Sequence, residues 1–195
     1  NWSGAAYNPE SNILYIPVNT DVMVQGLKKL PASNFNKTNA KVLRTSPSAA
    51  WWALTGRGTG LRYSMIDRRP FTVDGIPCKC PPWGWMVAVN LNSGVIVWRK
   101  PSGEDTLKNI KGLNGYCPPL LTAGGVLFHG GTRDQRLYAY DAKNGDVLAK
   151  YDLPAGLHAG PITYKLKPDG KQYLVVAPGG HTILGSKLGD YIIAY

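Results

Sequence analysis

Residues 121–154 read LTAGGVLFHGGTRDQRLYAYDAKNGDVLAKYDLP, and their alternation of short apolar runs with turn residues sets the fold class. Gly124-Gly125 marks a turn, Val126-Leu127-Phe128-His129 a short apolar run, and Gly130 to Asp134 a second turn. From Arg136 to Tyr140, Leu137 and Ala139 fall on one face, the period of a half-buried strand. Asp141 to Asp146 forms a tight turn around Asn144-Gly145, a pair that tolerates positive φ. Val147 to Leu153 is another strand, with Val147, Ala149, Tyr151 and Leu153 on one face. Three strands joined this way predict an antiparallel meander, too small to be stable alone.

A second copy follows from the same pattern. Met86 to Trp98 reads MVAVNLNSGVIVW, again strand, turn, strand. Setting Ala88 on Ala139 puts Asn90 on Asp141, Gly94 on Gly145 and Trp98 on Ala149, an offset of 51 residues. A strand-filled period of that size is the mark of a propeller blade. A sandwich or a barrel with good hairpins has the same local signature.

Composition narrows the class. The chain has 195 residues, 44% of them hydrophobic and 17% charged, enough for a domain with a real core. Its 23 glycines and 15 prolines suit many short strands, and long helical patterns are absent. The formal net charge of +10 raises the question of a nucleic-acid partner. The basic residues are scattered, with only short pairs such as Lys28-Lys29 and Arg68-Arg69, so no nucleic-acid interface is expected. Three cysteines, Cys78, Cys80 and Cys117, cannot all pair, and Cys78-Lys79-Cys80 is too isolated for a zinc site. They read as free thiols or one structural disulfide. No apolar run approaches the ~20 residues of a membrane span, and no signal peptide is expected among these residues. Both ends read as the middle of a larger domain.

Taken in order, residues 1–7 read as a loop and Asn8 to Asn12 as a turn. Ile13 to Val18 reads as a strand, with Pro17 placing it at an edge or a bulge. Asp21 to Leu30 is a strand or a short helix. Residues 31–69, rich in polar residues and glycine and holding Trp51-Trp52, are expected to form a long loop excursion between blades. Pro81-Pro82 predicts an extended lead-in to the strand at Met86. Pro101 to Asn114 reads as a polar connection. Further strands are expected at Pro161 to Tyr164, Gln172 to Ala177 and Asp190 to Tyr195. The total is about three to four blade equivalents.

Five features together resemble the C-terminal part of the pyrroloquinoline-quinone (PQQ) dependent, or quinoprotein, dehydrogenases, most closely the membrane glucose dehydrogenase type. They are Asn1-Trp2 with the strand at Leu14 to Pro17, and Cys80-Pro81-Pro82-Trp83-Gly84. The third is the tryptophan-docking motif Ala88 to Trp98. The fourth is Thr122-Ala123-Gly124-Gly125 with Gly130-Gly131-Thr132-Arg133-Asp134. The last is Gly179-Gly180-His181 with Gly185, Lys187 and Gly189-Asp190-Tyr191. The resemblance implies an all-β fold, part of an eight-bladed β-propeller, with residues 1–195 forming the C-terminal portion of a single propeller domain. It implies PQQ and a divalent cation, calcium or magnesium, on the propeller axis. It further implies a sugar or alcohol as substrate, a quinone or other electron acceptor, and a place in the periplasm or on a membrane facing it.

Site residues carry over one at a time. Asn1 and Trp2 match positions beside the cofactor, and an amide offers a quinone edge both a donor and an acceptor; an Asn serving a turn is the alternative. Asp134 matches a cofactor-proximal aspartate, or is a turn carboxylate. His181 matches a substrate-proximal histidine. Tyr116 falls where alcohol-oxidising relatives carry a tryptophan near the cofactor, and is the second substrate-proximal candidate, or a packed aromatic. His129 and His158 have no such match and read as structural. Asp190 belongs to the terminal strand motif. Ala149 stands where a docking tryptophan is expected. The family's catalytic aspartate, metal ligands and cofactor-stacking tryptophan would lie upstream, so no catalytic or metal-binding residue is assigned and the chain alone is expected to be inactive. The rival expectation is a non-catalytic propeller that binds a protein partner.

Overall fold

A computed structural model describes residues 3–29, 63–74, 76–182 and 184–195. All regular elements among them are strands. The chain divides into two compact units, Asn1–Asp21 with Lys79–Tyr195, and Val22–Cys78.

The larger unit holds three blade-like antiparallel sheets. The first is formed by β1 (Ala6–Asn8), β2 (Ile13–Asn19), β7 (Gly84–Asn90) and β8 (Ile96–Pro101) in the order β1-β2-β7-β8. A small hairpin, β9 (Glu104–Asp105) with β10 (Ile110–Lys111), follows. The second sheet runs β11 (Leu120–Leu121), β12 (Val126–His129), β13 (Arg136–Asp141), β14 (Val147–Asp152) in chain order. The third has β15 (Ile162–Lys165), β16 (Gln172–Val176) and β17 (Ile193–Ala194). Among its described residues the smaller unit has two hairpins, β3 (Met23–Lys29) with β4 (Tyr63–Pro70), and β5 (Thr72–Val73) with β6 (Ile76–Pro77).

The 51-residue alignment is visible in the registers. Ala88 pairs with Trp98 and Ala139 with Ala149, and each ladder is shifted by a bulge just after that alanine. Both hairpin turns are built alike. The Gly94 N–H donates to the Asn90 carbonyl (2.8 Å), and the Gly145 N–H to the Asp141 carbonyl (2.7 Å). The Asn90 and Asp141 side chains each accept from the amide two residues on, at 2.9 and 2.8 Å. The shared Asn/Asp-x-x-x-Gly is therefore a turn with its own side-chain acceptor.

The core lies between sheets. Ala6, Tyr15, Met86, Ala88 and Trp98 of the first sheet pack on Leu127, Tyr138, Tyr140 and Ala142 of the second. Leu137, Leu153 and Leu157 meet Leu174 and Val176 of the third, with Cys117 among them. β13 is consequently buried on both faces, not on the single face its Leu137/Ala139 period suggests, because a neighbouring sheet covers each side. Trp98 joins the first two sheets. Its ring lies 5.9 Å from that of Tyr15, and its Nε1–H donates to the Ala142 carbonyl at 2.9 Å. At the next junction, where Ala149 replaces it, Tyr151 and Tyr195 pack with ring centroids 5.0 Å apart.

Several expectations are corrected. The 1–7 loop contains strand β1, and the 101–114 connection contains the β9–β10 hairpin. The Pro81–Pro82 bond in the expected extended lead-in is cis. β2 is not an edge strand: it pairs with β1 on one side and β7 on the other. Pro17 is accommodated because β1 reaches only as far as Tyr15. The excursion is not between blades. It is inserted between β2 and β7, adjacent strands of one sheet. Its expected loop from 31 to 69 gives way at 63 to β4, which pairs with β3; Trp51 and Trp52 lie outside the described residues.

Candidate functional site

The sheets begin with short leading strands, β1, β11 and β15, and their lead-in segments converge. β1 and β11 are in contact. Pro118 stands beside both Gly4 and Gly160: a Cβ on either glycine would lie 3.5 or 3.1 Å from its ring. Tyr116 and His158 each lie four residues before their leading strand, and Trp2 occupies the same chain position before β1. Asn1 and Trp2 themselves lie outside the described residues.

The Tyr116 segment is fixed by its neighbours. The Asn19 side chain acts as a strand partner to Gly115, accepting from its N–H (3.0 Å) and donating to its carbonyl (2.9 Å). Thr132 makes a backbone bridge to Gly115, and the Tyr116 N–H donates to the Gly131 carbonyl at 3.3 Å. The Cys117 thiol donates to the Ala159 carbonyl at 3.3 Å, tying this segment to the one carrying His158. All three cysteines are free thiols, with Cys78 and Cys80 exposed and Cys117 buried.

The His181 loop is shaped by glycines. The Gly156 N–H donates to the Lys187 carbonyl (3.0 Å) and the Gly180 N–H to the Gly156 carbonyl (2.8 Å). Gly180 has φ +70°, and a Cβ there would sit 2.2 Å from the Lys187 carbonyl oxygen, so the closure requires glycine. Within the loop, the Ser186 hydroxyl accepts from the His181 N–H at 2.8 Å. The same oxygen lies 2.7 Å from Nε2 of His158. The two imidazoles stand edge to face with centroids 6.0 Å apart. Burial, and then the His181 charge, push the His158 pKa below the ordinary histidine value, while the Tyr116 backbone carbonyl opposes this. The Nδ1 atoms of His158 and His181 are both buried without a hydrogen bond of good geometry.

The structure thus brings Tyr116 and His181 together through His158 and Ser186. His158, expected to be structural, sits at their centre. Ser186 was not singled out by sequence reasoning at all. Aligning leading strands instead of hairpins would have exposed His158, since it repeats the place of Tyr116. Asp134 stands apart. Its carboxylate accepts from the Thr132 and Tyr138 hydroxyls and from the Glu104 N–H (3.0 Å), pinning the 130–135 turn that supports Gly115 and Tyr116. Around it, Glu104 pairs with Arg136 (2.8 Å) and Lys150 (2.6 Å). Asp190 is exposed. Among the described residues no three His, Cys, Asp or Glu side chains come together as a metal site.

A cluster of two imidazoles, a hydroxyl and a tyrosine segment can donate and accept hydrogen bonds to a hydroxyl-rich or quinonoid ligand. The buried Nδ1 of His181, which has no partner, fits such a polar guest.

A family model described as PQQ: glucose/ethanol/alcohol dehydrogenase, beta-propeller domain, matches residues 1–174. The chain is 42% identical over 146 residues to the quinoprotein glucose dehydrogenase of Escherichia coli (strain K12), an alignment covering 70% of this chain and 18% of that protein. Identity is also 42% over 130 residues with quinoprotein glucose dehydrogenase A of Acinetobacter calcoaceticus, covering 62% of this chain and 16% of the relative. The chain therefore spans less than a fifth of the length of these two relatives. Among solved structures, the quinohemoprotein alcohol dehydrogenase from Comamonas testosteroni superposes with a TM-score of 0.56 at 22% identity, over 100% of this chain and 25% of that one. That likeness supports the fold, part of a β-propeller.

Proposed function

This chain belongs to the family of PQQ-using glucose/ethanol/alcohol dehydrogenase β-propellers, and from that membership we propose that the intact protein oxidises a sugar, glucose-like in class, or an alcohol. Electrons pass on to a quinone or other acceptor. PQQ, when bound, supplies the two-electron redox chemistry, with calcium or magnesium held by residues outside this chain. The protein works in the periplasm or on a membrane facing it. The chain taken alone gives no turnover.

The observation that carries this reading is the convergence of Tyr116, His158 and His181 where the leading strands begin. These residues bind and orient. The His181 ring, with its Nδ1 buried and unpartnered and its backbone clamped by Ser186, presents an imidazole to substrate hydroxyls. Tyr116 joins His181 on the substrate side, and the Asn1-Trp2 positions supply the cofactor side. The buried apolar residues around them, Cys117 and Leu157, exclude water from below. Asp134 serves at one remove, through the turn that holds Gly115 and Tyr116.

The full-length protein, loaded with PQQ and calcium, should reduce an artificial electron acceptor with aldoses or primary alcohols. His181→Ala should raise KM about tenfold, as expected for loss of a substrate hydrogen bond. Absence of PQQ binding together with absence of turnover would leave the non-catalytic scaffold in its place.

A further inference from the structure

The segment carrying His158 grips the loop carrying His181 at three points. Two are backbone hydrogen bonds, Gly156 to Lys187 and Gly180 to Gly156. The third is the Ser186 hydroxyl, which has one proton to give. It already accepts from the His181 N–H, so that proton goes either to Nε2 of His158 at 2.7 Å or to the His181 carbonyl at 3.4 Å. Distance favours the imidazole. The hydroxyl fits there only because residue 156 has no side chain: a Cβ on Gly156 would come within 2.7 Å of Ser186 Oγ and 3.0 Å of His158 Nε2.

We propose that His158 is a positioning residue for the substrate side of the site, acting through the Ser186 hydroxyl to set the placement of His181. The residue has its own place in the blade pattern, four positions before β15 as Tyr116 is before β11, so its ring stands on a segment anchored by the Cys117–Ala159 hydrogen bond. His181, by contrast, sits on a loop closed by glycines, with no strand among its described residues. Placement therefore passes from the anchored segment to the loop. Burial keeps His158 neutral, and a proton on Nδ1 directed at the Tyr116 backbone carbonyl leaves Nε2 as the acceptor for Ser186. What His181 faces rests on the dehydrogenase reading; the coupling between the two histidines rests on geometry alone.

The test uses the full-length protein and two readouts. Hydrogen exchange, followed by mass spectrometry on peptides covering 178–188, reports the His181 amide without any need for turnover. Steady-state kinetics with an aldose report KM and kcat separately. His158→Leu should speed exchange in that peptide about tenfold and raise KM by a similar factor, with kcat little changed. Ser186→Ala removes the same link together with the acceptor of the His181 N–H, so its KM is the informative readout, and it should rise as in His158→Leu even if His158→Leu is poorly folded. His158→Gln keeps an acceptor toward Ser186 and should restore both. Wild-type exchange and KM in His158→Leu and Ser186→Ala would overturn the proposal, as would a His158→Gln variant as impaired as His158→Leu. If the wild-type protein oxidises no sugar or alcohol, the dehydrogenase reading fails, and the exchange experiment still decides whether His158 positions the loop.

Discussion

Gly145 is where two hairpins of the same design should respond differently to the same substitution. Gly94 and Gly145 occupy equivalent turn positions, with φ of +69° and +75°. A Cβ on Gly94 would meet nothing within 4 Å, whereas one on Gly145 would lie 2.6 Å from Cε3 and 2.9 Å from Cδ2 of Trp98, and 2.8 Å from Cγ of Lys100. Gly94→Ala should therefore cost only the left-handed backbone, about 1–2 kcal/mol. Gly145→Ala carries that cost and also displaces the indole, breaking its hydrogen bond to the Ala142 carbonyl. An orphaned buried pair adds about 1–3 kcal/mol, for a total of about 2–5 kcal/mol centred near 3–4. The assay is native-state hydrogen exchange of peptides spanning β8 and β14 in the intact protein, which reads local opening where a global unfolding midpoint would blend many blades. Gly145→Ala should accelerate exchange there by about a hundredfold or more, and Gly94→Ala by no more than about thirtyfold. In a Trp98→Ala background the extra cost of Gly145→Ala should vanish, leaving only the backbone term. Equal costs at the two glycines, or additivity with Trp98→Ala, would refute the packing argument.

Two further outcomes are expected. His129, 1% exposed, has its pKa lowered by burial to about 4 from the ordinary 6.5, the Cys117 carbonyl opposing the shift. The folded-state value is depressed, so the unfolded chain takes up the proton first. Stability is then full above about pH 6.5 and is lost as pH falls toward 4, by roughly 2 kcal/mol at pH 5. Thermal midpoints at pH 7.5 and 5 should differ less in His129→Leu than in the wild type, and an unchanged difference would rule His129 out. Cys117 is 0% exposed and burial pushes its thiol up to about 12, while Cys78 and Cys80 are exposed. A maleimide should label Cys78 and Cys80 in the native protein and reach Cys117 only after denaturation, as peptide mapping will show; rapid native labelling of Cys117 would contradict its burial.

The readable parts of this molecule are its local ones. The strands flanking Asn90 to Gly94 and Asp141 to Gly145 were legible because an Asn or Asp acceptor and a positive-φ glycine lie within four residues of each other. β1 and β11 were not, because two or three residues carry no period and exist as strands only through the ladder beside them. The insertion within the first sheet was hidden for a similar reason: Ile13 pairs with Asn90 across the whole excursion, and no local signal marks the return.

The candidate site divides along the same line. His181, Tyr116 and Asp134 were singled out through motifs, which left open whether Asp134 serves its own turn and did not show that the other two segments meet around His158. By itself the amino-acid order determined an all-β, glycine-punctuated chain with a blade repeat and a quinoprotein signature. Tertiary structure alone decided which sheets cover both faces of β13, and that Ser186, 28 residues from His158 in sequence, lies 2.7 Å from its ring. The reason is physical: hairpins follow from backbone preferences of adjacent residues, whereas contacts between blades depend on burial and on glycines that leave room for distant segments to touch.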